Sequence, residues 1–103
     1  MKHTYNKHER KKEKMKRSGY RYLITISELE PCKYKEFKAI LSNAEANILM
    51  TYDINHDTET YILNIYCDKM VMTADSKSIV KIILANDCIL KLSTSDFITI
   101  QLY

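Results

Sequence analysis

The chain holds one glycine, one proline and no tryptophan in 103 residues. A single glycine excludes the phosphate-cradling GxGxxG loop and the GxSxG nucleophile elbow, since each needs at least two. No stretch approaches the roughly 18 apolar residues that a spanning helix requires. No apolar segment follows the N-terminal charges, as a secretory signal would demand, and a lysine-rich leader holding Glu9 and Glu13 is unlike a mitochondrial presequence. Cys32, Cys67 and Cys88 are odd in number and include no CxxC pair, which excludes a zinc knuckle and a thioredoxin-type site. Free thiols without a signal point to a reducing, cytoplasmic setting.

Histidine is equally sparse. His3 and His8 lie near the N-terminus and His56 lies in a polar turn. Cys32 stands beside Lys33 and Lys35 at the start of an expected helix, where a thiol pKa can fall. A nucleophilic cysteine also needs a base, and no histidine falls in an expected strand or helix. "DINHDTE" sets Asp53, Asn55, Asp57 and Glu59 at alternate positions, as a calcium loop begins. The glycine and bidentate glutamate that such a loop needs at its sixth and twelfth positions are here Thr58 and Asn64. It reads as a polar hairpin turn, with a weak magnesium site beside His56 as the lesser alternative. The chain is expected to be non-enzymatic, without metal or cofactor.

What the chain does have is charge, unevenly placed. Met1 to Tyr22 carries nine Lys or Arg against two Glu, a net of +7, while Leu23 to Tyr103 carries seven basic and eleven acidic residues, a net of −4. Such asymmetry within one chain points to a polyanionic partner. The lone glycine reads as a hinge, dividing a flexible basic leader, 1–19, from a compact body, 20–103. The leader's apolar residues form no stripe, so a helix there would be marginal until it binds a partner. The basic residues interleave with Tyr5, Tyr20 and Tyr22. That mixture suits a single strand of nucleic acid, on which charge tracks phosphate and rings stack on bases.

In the body, Tyr22, Ile24 and Ile26 alternate as one face of a strand. Pro31 suits a helix start, and Phe37, Ile40, Leu41 and Ala44 recur as one helical stripe. Ile48, Met50, Tyr52 and Ile54, then Tyr61, Leu63, Ile65 and Cys67, read as a hairpin. Asp75 or Ser76 would cap a second helix with Ile79, Ile82 and Ile83 facing inward. "CILKLS" and "DFITIQLY" would close the domain as a hairpin across Ser93 to Asp96. The expected fold is α+β, a ferredoxin-like split βαβ in the order β-α-β-β-α-β plus a C-terminal strand, with helices on one face. The RNA-recognition motif shares that plan, but "TYILNIYC" lacks its glycine and basic residue, and Tyr61 and Tyr66 fall on opposite faces.

The expected contact residues are Lys7, Arg10, Lys11, Lys12, Lys14, Lys16, Arg17, Tyr20, Arg21 and Tyr22. Two functions fit them. One is a regulator or inhibitor of a nucleic-acid enzyme or ribonucleoprotein, whose acidic body docks on protein while the leader reaches nucleic acid or an acidic groove. The other is a simple nucleic-acid-binding module with a phosphate-binding arm. Neither needs a membrane, and the open sheet face or an edge strand offers a route to a homodimer. The abundance of Lys, Ile, Asn and Tyr suggests an AT-rich source such as a phage or mobile element. In layout alone, a basic leader before a small α/β body, the chain resembles some small phage-encoded anti-CRISPR proteins. No motif carries that likeness.

Overall fold

A computed structural model describes residues 19–44, 47–85 and 88–102. Its elements run β1 (Tyr22–Leu29), α1 (Pro31–Ser42), β2 (Ile48–Asn55), β3 (Thr60–Cys67), β4 (Val71–Ser76), β5 (Ile79–Ala85), β6 (Cys88–Ser93) and β7 (Phe97–Leu102). Two antiparallel sheets result, one of four strands in the order β2-β3-β1-β7 and one of three in the order β4-β5-β6. The ferredoxin-like expectation is therefore wrong: the described chain is mostly β, with one helix.

The first half follows its periodicity. Ile24 and Ile26 on β1, with Leu63, Ile65 and Cys67 on β3, all point to one buried face. Near its end β1 breaks register with β3 between Ile26 and Leu29, and Glu28 takes φ 53. Such a bulge bends a strand, here just before α1. Pro31 then starts the helix, where its fixed φ helps and its missing N–H is no loss. The helix buries Tyr34, Phe37 and Leu41, and packs against both β3 and β6. At its end the Asn43 N–H donates to the Ala39 carbonyl at 3.2 Å.

The second half departs from expectation. No helix follows Ser76: β4 and β5 pair directly, Ser76 opposite Ile79, across Lys77 and Ser78. "IVKIILA" is apolar at spacings that suit either period, and its β-branched Ile79, Val80, Ile82 and Ile83 settle the choice for a strand. Ile82 and Leu84 face the core, and Lys81 faces out against Lys91. The closing hairpin is also absent. The Ser93 to Asp96 turn forms, but β6 pairs with β5 in the second sheet and β7 with β1 in the first. Ile82, Leu84, Cys88, Leu90 and Leu92 of the small sheet share one buried cluster with the helix and the large sheet. Cys67 and Cys88 both lie in that cluster, and burial pushes their thiols up, Cys67 to about 11.

Candidate interaction surface

Strand register fixes which side chains share an end of the large sheet. Tyr22 pairs with Cys67 and with Leu102, and the Arg21 N–H donates to the Cys67 carbonyl at 2.9 Å. Gly19, at φ 98, immediately precedes this end, so the leader is joined to the body here. At the far end Leu29 pairs with Tyr61, Asn55 with Thr60 and Ser27 with Phe97. That register gathers Glu28, Glu30, Asp53, Asp57, Glu59 and Asp96, six of the body's eleven acidic residues. Lys33 and Lys35 lie in the first turns of α1, and Lys33 is engaged by Glu36 at 3.8 Å. A strand of eight residues spans about 26 Å at about 3.3 Å per residue. The leader's attachment and the acidic end are thus separated by the length of the sheet.

The same acidic end carries an aromatic cluster. Tyr34 of α1 stacks on Tyr61 of β3, with centroids 4.0 Å apart and planes 4° from parallel. Tyr52 of β2 leans on both, at 5.2 Å from Tyr34 and 5.9 Å from Tyr61. Burial first, then the neighbouring Tyr52 and Tyr61 phenols, raise the Tyr34 pKa above its ordinary value. Tyr52 is 49% exposed and Ile54, two residues along the same face, 42%. A fixed aromatic base under a half-exposed Tyr–Ile pair, with charged residues around it, has the make-up of a protein-docking patch. Its local parts are legible in the sequence: Tyr34 lies one helical turn before Phe37, and Tyr52 and Tyr61 occupy inward positions of the expected hairpin. Their convergence is not, because it needs the helix to lie across β3.

The sequence-expected contact residues fare unevenly. Lys7, Arg10, Lys11, Lys12, Lys14, Lys16 and Arg17 lie outside the described residues. Arg21 is exposed beside the start of β1. Tyr20 meets Tyr66 edge-on, with centroids 6.4 Å apart, whereas Tyr22 packs against the core on the other side of the sheet. Those two rings do not form one stacking platform. Tyr61 and Tyr66 also divide between the two faces, as their spacing requires: Tyr61 packs against the core and Tyr66 lies outside the core cluster. The outer face of the large sheet is not bare either, since Tyr66 is completely buried there.

Other chemistry has little to build on. Among the described residues no three His, Cys, Asp or Glu stand close enough to hold a metal ion. The "DINHDTE" segment is a turn, in which the Asn55 Oδ1 accepts the Asp57 N–H at 3.0 Å and the Thr58 N–H at 3.4 Å. Cys32 is exposed at the helix start. No described helix is long and apolar enough to cross a membrane. Compared with protein-family models, curated proteins and solved structures, the chain shows no match.

Proposed function

We propose that this chain is a non-enzymatic binding protein that acts on a nucleic-acid system, its body docking on a protein component and its leader contacting nucleic acid or an acidic groove beside it. The observation that supports the reading is the separation of charge: a leader of net +6 is attached at one end of the large sheet, and six acidic side chains collect at the other. A single-purpose phosphate binder gains nothing from an acidic end, which repels a polyanion. A bridging inhibitor uses both ends. The acidic end would meet a basic protein surface with Tyr52 and Ile54 as anchors, and the leader would start from a point some 26 Å away, toward the neighbouring nucleic acid. A phage or mobile-element inhibitor of a ribonucleoprotein fits this division of labour. The simple nucleic-acid module is the second reading, and it leaves the acidic end without a task.

The test uses two charge-reversed forms of the full chain against a labelled single-stranded oligonucleotide. Replacing Lys11, Lys12, Lys14 and Lys16 with Glu is expected to abolish binding while the circular dichroism of the body is unchanged. Replacing Glu28 and Glu59 with Lys is expected to leave binding intact or stronger. Full binding by the first variant would make the leader a bystander. Loss of binding in the second would show that the two ends do not work separately.

A further inference from the structure

Among the described residues four strands form the edges of the two sheets: β2 and β7 in the large sheet, β4 and β6 in the small one. Natural sheets protect such edges with charge, proline or irregular pairing. Asp53 lies within β2. Strand β4 has Asp75 and a break in register between Ala74 and Ser76. Strand β6 has Lys91 and a break in its pairing between Ile83 and Ala85. Strand β7, "FITIQL", has none of these: no charge, no proline, and unbroken register with β1 from Phe97 to Leu102.

Its side chains carry the point further. Ile98, Ile100 and Leu102 lie opposite Ile26, Ile24 and Tyr22, so they prolong the core-facing rows of β1. Ile98 stays half-buried against the core, but its two neighbours on that face emerge from cover, with Ile100 37% and Leu102 75% exposed. We propose that β7 pairs antiparallel with β7 of a second copy of this chain about a two-fold axis at Ile100, joining two four-stranded sheets into one of eight strands. This inference does not depend on the proposed function.

The register follows from the pleat. Directly opposed residues share a sheet face, so odd residues must oppose odd and even oppose even. Centring the axis on Ile100 sets Ile100 against its own copy, Ile98 against the copy's Leu102, and Thr99 against the copy's Gln101. The exposed Ile100 and Leu102 and the half-buried Ile98 then each gain an apolar partner. Centring on Thr99 leaves Leu102 without one. An isologous contact of this kind closes at two subunits, because the pairing consumes both free β7 edges.

The experiment is light scattering and sedimentation of the full chain across the micromolar range. The expected mass is twice the 12.2 kDa of one chain, and Ile100→Lys is expected to return it to 12.2 kDa with unchanged circular dichroism, because it sets two ammonium groups face to face. The register is tested by oxidation in a Cys32→Ser background, in which the remaining thiols, Cys67 and Cys88, are buried. Opposed Cα atoms about 4.5–5.5 Å apart are within disulfide reach. Ile100→Cys is therefore expected to give a covalent dimer, and Thr99→Cys not. A 12.2 kDa mass throughout, a dimer that survives Ile100→Lys, or faster cross-linking at Thr99 would each overturn the proposal.

Discussion

Truncating Phe37 to alanine is the sharpest test of how the body is held together. The ring is completely buried on α1, and that helix lies against β3 of the large sheet and β6 of the small one. Removing the ring therefore takes packing from an element that touches both sheets. A buried Phe→Ala change costs about 3–5 kcal/mol, the transfer term plus the cavity left behind. At about 0.05–0.15 kcal/mol per residue, a body of some 80 residues has about 4–12 kcal/mol in total. The variant should sit near the edge of stability. With a urea slope of about 1.5 kcal/mol/M, the unfolding midpoint should fall by roughly 2–3 M at constant slope. Lys33→Ala is the control: its ammonium lies 5.3 Å from the Phe37 centroid, and such an exposed cation–π contact contributes about 0.5 kcal/mol. A Phe37→Ala loss below about 1 kcal/mol would mean that the helix is not the element joining the sheets.

Three further outcomes follow from particular side chains. The Thr51 hydroxyl is buried with no hydrogen-bond partner among the described residues, so Thr51→Val should raise the urea midpoint, by about 1 kcal/mol of stability, and a fall would show that the hydroxyl is used. Thr25 donates to the Asn64 Oδ1 at 3.0 Å, and Thr25→Val should cost about 1 kcal/mol in the same assay by leaving that oxygen unmet. Burial raises the Cys67 thiol to about 11, with Asp68 adding to the shift, and burial raises Cys88 as well. A raised acid keeps its proton in the folded state while the unfolded chain loses it, so the urea midpoint should be unaffected below pH 9 and fall between about pH 9 and 11. A midpoint that rises over that window would contradict the assignment.

The fold was legible wherever periodicity and a local stop signal agreed. Alternation in β1, β2 and β3, and Pro31 ahead of the Phe37–Leu41 stripe, identify four elements and the buried faces of β1, β3 and the helix, whereas the inward face of β2 comes out half-covered, with Tyr52 and Ile54 exposed. The helix expected after Ser76 failed because Lys77–Ser78 carries none of the Asn-Gly or Asp-Gly chemistry that marks a tight hairpin, while "ADSKS" looks like a helix cap. The missing closing hairpin has a different cause. The Ser93 N–H donates to the Asp96 carboxylate at 2.9 Å and the Asp96 N–H to the Ser93 carbonyl at 3.0 Å, so the turn is locally what a hairpin needs. Local turn chemistry does not specify whether the two strands stay together, and here they part into different sheets. The acidic end was hidden for a related reason. Glu28, Asp57 and Asp96 are far apart in sequence, and only the β1–β3 and β1–β7 registers bring them to one end. The charge of the leader, by contrast, is a matter of composition and needed no fold to be seen.

The most direct measurement is a salt series of the full chain binding a labelled single strand. If the leader neutralises about five phosphates, log K against log salt should fall with a slope of about −3.5. Four Lys→Glu changes should flatten that slope toward zero. A flat dependence in the unaltered chain, or no binding at about 0.1 M salt, where the Debye length is still about 10 Å, would contradict the leader's role as a phosphate-binding arm.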